Sequence, residues 1–474
     1  MSVGYKHGAY AEIISSPGSL YATAVGTLPV YIGCAPVHQL RDYASKVIQP
    51  LMVTDLNSAR SQLGLMTTNW AGFELCEAFD AHFNSKINPI GPIVVINVFN
   101  PSAHKTAAET TVDIPFVQKV GYLNDSKVIL NTVSIVDMAF GTDFEASYTD
   151  DGQRVMITLK AEAESLQVKY TAADPSKVTA DEVISGGIEA LKLVYQKYNR
   201  VPTLICAPKW SGVKVVHDAL LEAIASINGH WMTYLMSDLP EAADIAAAIA
   251  VKDTQGYTSA KETPCWPYAK KGSNIYHLST IATVTAQYVD YVNEDVPFET
   301  PSNKPIDIDG LCKADGTPLD FDQTKANELN AAGIRTASYW DGHFVLWGAH
   351  TGAYVYMMDV KPEEIYDCSM RMLQYIANTF QRRYGLKVDQ PMNRAAIDTI
   401  LNDYQAFLDN LSAQGALLGA TIDFLETSNR LSDMVEGDFV FDIETTTTPP
   451  GKSLTAKIRY STSGISTLFG GESA

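Results

Sequence analysis

The sequence lacks a long apolar run and an excess of positive charge. Its apolar runs, such as residues 93–98, stop far short of the roughly 20 residues that a membrane-spanning helix needs. Residues 1–10 do not have the charged-then-apolar order of a secretory leader. Lysine and arginine number 35 against 54 acidic residues, and they are scattered, so the basic surface that binds nucleic acid is missing. We expect a folded, soluble protein that assembles in the cytoplasm, is not inserted in a membrane and does not bind nucleic acid directly.

Closely spaced cysteines and the common catalytic motifs are also missing. The six cysteines are far apart and form no C-x-x-C pair, which predicts reduced, buried thiols without disulfides. No G-x-G-x-x-G, H-E-x-x-H or G-x-S-x-G motif occurs. The nine histidines show no metal-like pairing with cysteines. The sequence therefore predicts no metal site, no cofactor and no catalytic residues.

Two short segments resemble ligand-binding loops and are better interpreted as turns. Gly451-Lys-Ser453 is similar to the end of a phosphate-binding loop, but Thr446 occupies the place of that loop's first glycine. Asp307-Ile-Asp309-Gly310 offers two carboxylates, whereas a calcium loop needs a third oxygen ligand before the glycine and a later glutamate. Neither segment predicts a binding site.

The length and patterning of the chain predict several domains. At 474 residues there is material for about two to four of them. We predict a multidomain α/β fold, with a layered α/β core, an inserted small all-β domain, and an α+β C-terminal domain with extended terminal arms. The predicted segments are residues 1–20 for an N-terminal arm, 21–100 and 171–360 for the α/β core domain, 101–170 for the inserted β domain, 361–450 for the C-terminal α+β domain, and 451–474 for a C-terminal strand and arm.

Apolar periodicity predicts the elements of the core and of the insertion. Helical spacing occurs at residues 54–64, 73–83, 184–198 and 213–227, and strands are predicted within 22–36 and at 93–98, 155–159, 203–207, 231–236 and 344–347. Residues 254–334 contain six prolines, and we expect a loop-rich region there with only a few short elements.

Two long helices and a hairpin are predicted near the C-terminus. Residues 363–384 have a proline just before them, arginines in the last turn and a glycine just after, which is typical helix punctuation. Residues 393–414 have an apolar face and an opposite polar face. The members of that polar face are Arg394, Asp398, Asn402, Gln405 and Asp409. Residues 438–444 and 454–460 are predicted to pair as a hairpin across a turn-prone connection.

A series of short motifs runs through nearly the whole chain. They are Gly8-Ala-Tyr-Ala-Glu12, Ala24-Val-Gly-Thr-Leu-Pro29, Val201-Pro-Thr-Leu-Ile-Cys-Ala-Pro208, Ser237-Asp-Leu-Pro240, Pro301-Ser-Asn-Lys-Pro305, Val345-Leu-Trp-Gly348, Phe407-Leu-Asp-Asn-Leu-Ser-Ala-Gln-Gly-Ala-Leu-Leu-Gly419, Asn429, and Gly437-Asp-Phe-Val-Phe-Asp442 followed by Pro449-Pro450. In this order they resemble the contractile tail sheath family of myophages, R-type bacteriocins and related injection systems. The chain departs from the family at Ala349-His350-Thr351, where Gly-Arg-Thr is usual, and at Ser279-Thr-Ile-Ala-Thr283, which replaces part of a Pro-Ser-Gly stretch.

The resemblance implies a structural subunit that stacks helically in hexameric rings around a tail tube and contracts to drive the tube through a target cell envelope. It implies further copies of the chain, the tail tube protein, and baseplate and tail terminator proteins as partners. The implied location is a virion tail or headless tail particle, assembled in the host bacterial cytoplasm.

The resemblance also implies that terminal arms add strands to the sheets of neighbouring subunits, as exposed sheet edges permit. The residues predicted to take part are Tyr5, Ala9, Ala11, Ile13, Phe439, Phe441, Leu454 and Ile458. The polar face of residues 393–414 is a candidate contact with the tube, and a solvated face is the alternative. For the chain as a whole, the main alternative is a cytosolic α/β enzyme with a β insertion, which predicts a cleft lined by converging titratable side chains.

Overall fold

A six-stranded sheet forms the centre of the molecule. A computed structural model describes residues 22–23, 26–70 and 72–469. Across the sheet the strands are Glu262–Cys265, Tyr234–Asp238, Leu204–Cys206, Pro29–Gly33, Ile93–Asn97 and Pro50–Val53. All neighbouring pairs are parallel except the last, in which the edge strand runs antiparallel. Nearly every strand residue is buried because helices cover both faces, which explains why these strands are continuous apolar runs in the sequence.

Helices surround this sheet and account for most of the predicted α/β alternation. The α-helices of the core longer than one turn are Leu56–Leu63, Leu75–Phe83, Lys192–Tyr198, Lys214–Ala225, Ile245–Gln255, Leu278–Val292 and Gln323–Ala331. The helix predicted at 54–64 has clear capping residues, which is why its boundaries can be predicted from the sequence. The Asp55 carboxylate accepts a hydrogen bond from the Ser58 amide at 2.8 Å, and Gly64 ends the helix with a φ of 76°. None of the described helices is both long and apolar enough to cross a membrane.

The expectation of a mostly irregular region at 254–334 is wrong. This region contains the 15-residue helix Leu278–Val292, of which 12 residues are buried. Because it is covered almost all round, it has no solvated face, and the usual alternation of apolar and polar stripes is absent. Thr283 and Thr285 donate their hydroxyls to carbonyls of the same helix at 2.7 Å, whereas Thr280 donates to Glu77 at 2.6 Å. The region also contains short strands at Tyr268–Lys271, Asn274–His277 and Gly310–Cys312.

Residues 110–170 form two small antiparallel sheets of three strands each. The strands are Thr110–Pro115, Val120–Leu123, Ser134–Ile135, Phe144–Tyr148, Val155–Leu159 and Ser165–Tyr170. The predicted strand at 155–159 is confirmed, and its buried residues Val155, Ile157 and Leu159 alternate with half-buried ones. These strands share a hydrophobic cluster of their own, confined to residues 114–170.

The C-terminal part consists of two packed helices and a two-stranded sheet. The first C-terminal helix is Asp367–Tyr384 and the second is Arg394–Ala413, close to the predicted 363–384 and 393–414. The first begins later than predicted because Pro362–Glu364 forms a separate 3-10 turn. The C-terminal sheet pairs Leu417–Asp423 with Asp442–Thr447 in antiparallel register. Its strands are joined by a loop that carries the short helix Leu431–Glu436.

The predicted hairpin of residues 438–444 with 454–460 is wrong within the single chain. The first predicted strand corresponds to Asp442–Thr447, which pairs with Leu417–Asp423, and residues 451–460 form neither helix nor strand. Strand Leu417–Asp423 was not predicted because about 20 residues separate it from Asp442–Thr447, and no local turn signal connects the two. A buried asparagine closes the intervening loop: the Asn429 amide donates to the Leu425 and Val440 carbonyls, each at 2.9 Å, and its oxygen accepts from the Val440 amide at 2.8 Å.

Candidate assembly surfaces

Among the described residues no third strand pairs with the C-terminal sheet, although Gln405 binds the backbone of Ala420 and Ile422 at the outer edge of Leu417–Asp423. One face packs on the second C-terminal helix through Leu417 and Ile422, which are 2% and 6% exposed. Leu418 points the other way and is 67% exposed. A two-stranded sheet is marginally stable by itself, and an edge without a partner strand, here that of Asp442–Thr447, can pair with an added strand. The C-terminal sheet is therefore a ready acceptor for an added strand.

The chain after this sheet has the pattern of a strand but pairs with no other strand among the described residues. In residues 454–460, Leu454, Ile458 and Tyr460 are 92%, 92% and 86% exposed. With Ala456 they occupy alternate positions, and polar residues lie between them, which is the period of a strand with one buried face. The structure thus gives Leu454 and Ile458 no strand partner within the described chain.

The start of this segment is attached to the core. The Lys452 ammonium lies 3.3 Å from the Tyr354 hydroxyl, to which it donates, and 5.5 Å from the centre of that ring. Tyr354 in turn stacks on His350 with ring centres 3.5 Å apart. Burial lowers the pKa of His350 to about 4, so the imidazole is neutral near pH 7. His350, which stands where the family usually has arginine, therefore stacks on Tyr354. The segment that begins at Lys452 leaves the core beside this pair.

The other residues predicted for strand donation are placed differently. Phe441 packs inside the C-terminal part, with its ring centre 5.8 Å from that of Phe380 and 5.5 Å from that of Phe424. Phe439 stacks on the same Phe424 at 6.4 Å. Both therefore have intrachain hydrophobic contacts just before the strand Asp442–Thr447. The N-terminal residues of this set, Tyr5, Ala9, Ala11 and Ile13, lie outside the described residues.

The polar face of the second C-terminal helix is only partly available to a partner. Arg394 and Asp398 form an ion pair at 2.8 Å with both side chains largely exposed, and Asn402 and Asp409 are exposed as well. Gln405 differs from these four residues. Its amide donates to the Ala420 carbonyl at 3.0 Å and accepts from the Ile422 amide at 3.1 Å, and it also donates to Asp409 at 2.8 Å. The role of Gln405 within the chain is to hold the C-terminal sheet on the helix.

Two buried ion pairs join the first C-terminal helix to the core, and sequence reasoning missed them. Arg335 and Asp367 are both fully buried, with Nη2 and Oδ2 2.6 Å apart. One turn along the helix, Arg371 pairs with Asp290 of helix Leu278–Val292 in the opposite sense. An isolated buried charge is costly, so each partner requires the other.

The same helix face continues as a row of hydrogen bonds to core backbone. Gln374 donates to the Thr233 carbonyl at 3.0 Å, Asn378 exchanges bonds with both backbone groups of Met232, and Gln381 donates to the His230 carbonyl at 3.0 Å. These polar residues recur at every third or fourth position and so lie on one face of the helix, which was the signal available in the sequence.

Comparisons with known proteins agree with the resemblance found in the motifs. The tail sheath protein of Burkholderia phage BcepMu is 26% identical over 507 aligned positions, which cover 99% of this chain and 100% of the phage protein. No protein-family model matches the chain. A chain in the baseplate structure of the anti-feeding prophage superposes with a TM-score of 0.60 at 13% identity, covering 96% of this chain and 98% of that one. A chain of the PVC sheath complex, an extracellular contractile injection system in the contracted state, superposes with a TM-score of 0.58 at 12% identity. This match covers 98% of the present chain and 99% of that one.

The chain's sequence relatives are named tail sheath proteins, and a sheath complex of a contractile injection system shares its fold. The motifs that carried the resemblance occupy connected places in the sheath fold. In the Pro-Ser-Asn-Lys-Pro motif, the Asn303 amide donates to the Leu346 carbonyl of the Trp-Gly motif at 2.6 Å. Gly348 has a φ of 122°, and its carbonyl accepts from the buried Arg335 at 2.8 Å. These motifs therefore surround the ion pair that joins the core to the first C-terminal helix.

The position where an enzyme with this sheet would bind its ligand is filled by protein side chains. In open α/β sheets ligands bind beyond the carboxyl ends of the parallel strands. Here Asp238 ends a strand, accepts from the Ser279 hydroxyl at 2.7 Å, and receives the Ser211 hydroxyl at 3.3 Å, with all three side chains buried. Nearby, His277 pairs with the buried Glu77 at 3.0 Å. The relatives are structural sheath proteins, and this evidence favours the sheath over the enzyme alternative.

Proposed function

We propose that this protein is the structural subunit of a contractile tail sheath, which polymerises helically around a tail tube and contracts to drive the tube through the target cell envelope. The observation that carries the proposal is the match of a phage tail sheath protein to 99% of the chain. The partners are other copies of the chain, the tail tube protein, and baseplate and tail terminator proteins. Assembly takes place in the host bacterial cytoplasm.

Subunits are linked by strands that the terminal arms donate to neighbouring C-terminal sheets. The support is the combination of a sheet edge without a partner strand, at Asp442–Thr447, with an exposed segment of alternating polarity in the same chain. Ordering a strand costs roughly 1–2 kcal/mol per residue in backbone entropy, so the segment is ordered as a strand only where an edge pairs with it. The N-terminal arm, with Tyr5, Ala9, Ala11 and Ile13, is proposed to act in the same way.

The energy for contraction is stored during assembly. An extended sheath is held in a metastable packing and relaxes into a better-packed contracted one when the baseplate end is released. Head-to-tail contacts that do not close produce helical tubes, and donated strands keep neighbours connected while their bodies move. The likeness to a sheath complex solved in the contracted state supports a fold compatible with such packing.

Electron microscopy of negatively stained protein tests the proposal. The wild-type chain should form long hollow tubes, and a variant with Leu454→Asp and Ile458→Asp should remain folded but form none, because two charges would enter the paired face. The matched control carries Ser453→Asp and Thr455→Asp, which add the same charges to the other face of the strand and should leave tubes. Deleting residues 1–16 or 462–474 should also abolish them. Small discrete oligomers of the wild type would contradict the sheath function, and normal tubes from the Leu454 and Ile458 variant would contradict strand donation.

The exposed side chains of the second C-terminal helix are proposed to face the tube. Arg394, Asp398, Asn402 and Asp409 lie on its solvent side, and Gln405 supports the same face from within. Charge reversal at Asp398 and Asp409 should weaken assembly on preformed tubes more than self-assembly without them. Equal losses in the two assays would assign this face to contacts between sheath subunits.

A further inference from the structure

The C-terminal sheet has carboxylates on the face that turns away from the second C-terminal helix. Ile422 and Ile443 are register partners, and both contribute to the hydrophobic cluster on the helix side. Successive side chains of a strand point to opposite faces, so the neighbours Asp423, Asp442 and Glu444 lie on the other side, which we call the outer face. Asp423 and Glu444 are exposed, and Asp442 is half-buried. The outer face therefore bears three acidic side chains.

The described part of the chain supplies no counter-charge to the outer face. Asp423 and Asp442 are direct register partners, and like charges in such a pair destabilise a sheet. The partner of Glu444 is the uncharged Thr421. None of the three carboxylates forms an ion pair with another described residue. A third strand with cations on this face would add attraction where the sheet alone has repulsion.

The segment proposed to be donated carries positive charge in the matching position. If this segment is added at the edge of Asp442–Thr447, burial requires Leu454 and Ile458 to lie on the helix side, next to the hydrophobic cluster. The period of two along a strand then places Lys457 and Arg459 on the outer face. Both cations are exposed, and neither forms an ion pair with another described residue. The side of the segment that burial leaves outside is thus complementary in charge to the edge strand.

We propose that Lys457 and Arg459 of one copy pair with the two carboxylates of strand Asp442–Thr447 in a neighbouring copy, and that these pairs fix the register of the donated strand. The inference rests on the strand donation proposed above. A strand can slide by two residues and still bury its apolar face, so burial alone does not choose between such registers.

The spacing of the charges distinguishes the registers. In an antiparallel arrangement, one register sets Lys457 beside Glu444. The same register sets Arg459 beside Asp442. In a parallel arrangement, one register exchanges these partners. A slip of two residues in either arrangement loses one of the two pairs, because the cations and the carboxylates are each two positions apart. Opposite charges in neighbouring positions of a sheet attract, so the register with both pairs is favoured.

Charge reversal in the donated strand, and its compensation in the edge strand, test the pairing. Sedimentation over a range of protein concentrations measures the concentration at which the full chain forms tubes. Lys457→Glu and Arg459→Glu should each raise this concentration about fivefold, because repulsion replaces attraction beside a carboxylate. Adding Glu444→Lys should restore assembly of the variant whose reversed residue lies beside it. That variant is Lys457→Glu for an antiparallel strand and Arg459→Glu for a parallel one.

The matched control for Glu444→Lys is Glu426→Lys. Glu426 is exposed in the loop beyond the end of strand Leu417–Asp423, and its replacement changes the net charge by the same amount. It should restore neither reversed variant. Circular dichroism and thermal unfolding of the dispersed proteins confirm that all variants are folded.

Salt gives an independent measurement, since it screens exposed charges. Raising the salt concentration should reduce the difference between the wild type and the reversed variants. The proposal is overturned if neither reversal weakens assembly, if Glu444→Lys restores neither reversed variant, or if Glu426→Lys restores them equally well. These results would leave strand donation and the sheath function intact, because the variant at Leu454 and Ile458 tests the first and the tubes of the wild type test the second.

Discussion

Replacing Asp367 with asparagine should destabilise the protein severely while leaving its shape unchanged. The side chain keeps its size, but the fully buried Arg335 loses the carboxylate with which it forms an ion pair. Burial has the largest single effect on the pKa of Arg335 and lowers it, but the charge and hydrogen bond of Asp367, together with smaller contributions from neighbouring groups, raise the pKa overall, so the guanidinium stays charged. Removing one partner of a buried pair costs about 3–5 kcal/mol because the other charge remains without compensation. We expect a loss of that size in the free energy of unfolding.

The control is the same chemical change in an exposed pair. Asp398→Asn breaks the ion pair with Arg394, whose two side chains are 45% and 73% exposed, and should cost less than about 1 kcal/mol. Urea unfolding of both variants, followed by tryptophan fluorescence, compares them directly. If Asp367→Asn and Asp398→Asn lowered the unfolding midpoint equally, the Arg335–Asp367 pair would not hold the first C-terminal helix on the core. Full stability of Asp367→Asn would have the same meaning.

Two further predictions concern pH and the insertion. Burial would lower the pKa of His277, but the charge and hydrogen bond of Glu77 raise it to about 9. A folded-state pKa that is raised in this way stabilises the protein below the unfolded-state pKa of about 6.5, and this stabilisation, up to about 3 kcal/mol, is lost as the pH rises towards 9. The free energy of unfolding of His277→Gln, measured by urea unfolding, should therefore change less between pH 6.5 and pH 9 than that of the wild type. Excising residues 101–170 and rejoining the flanks should leave tube formation intact, because the strands there bury a hydrophobic cluster of their own; loss of tubes with the rest still folded would make the insertion a structural connector.

The fold was predictable from the sequence where burial is one-sided. The second C-terminal helix has a buried row that includes Ile397, Tyr404 and Leu408 and an opposite exposed row, so its 3.6-residue period is visible. The strand Val155–Leu159 alternates in the same way with a period of two. In both elements one side is more exposed than the other, so polar and apolar residues alternate with the period of the element.

Elements buried on all sides show no such periodic pattern of polar and apolar residues. Helix Leu278–Val292 mixes Ser, Thr and Gln with apolar residues around its whole circumference, because its polar side chains bond inside the protein. The contacts of Asp367 and Arg371 with the core were equally hidden, since charged residues are expected at a surface unless their partners are known. Arg335 and Asp290 are 32 and 81 positions away from those partners, and no local pattern connects them.

The C-terminal segment shows how a failed prediction can carry information. The alternation of Leu454, Ile458 and Tyr460 with polar neighbours predicts a strand, but the predicted partner pairs with Leu417–Asp423 and residues 451–460 form no strand in the described chain. Three large apolar side chains at 86–92% exposure are unfavourable for an isolated soluble subunit. The strands of the C-terminal sheet are paired with each other in antiparallel register, and the edge of Asp442–Thr447 has no further strand among the described residues. A strand pattern without a partner in the described part of the chain, together with a sheet that can still accept a strand, favours a complement in another copy, and helical polymerisation brings such copies together.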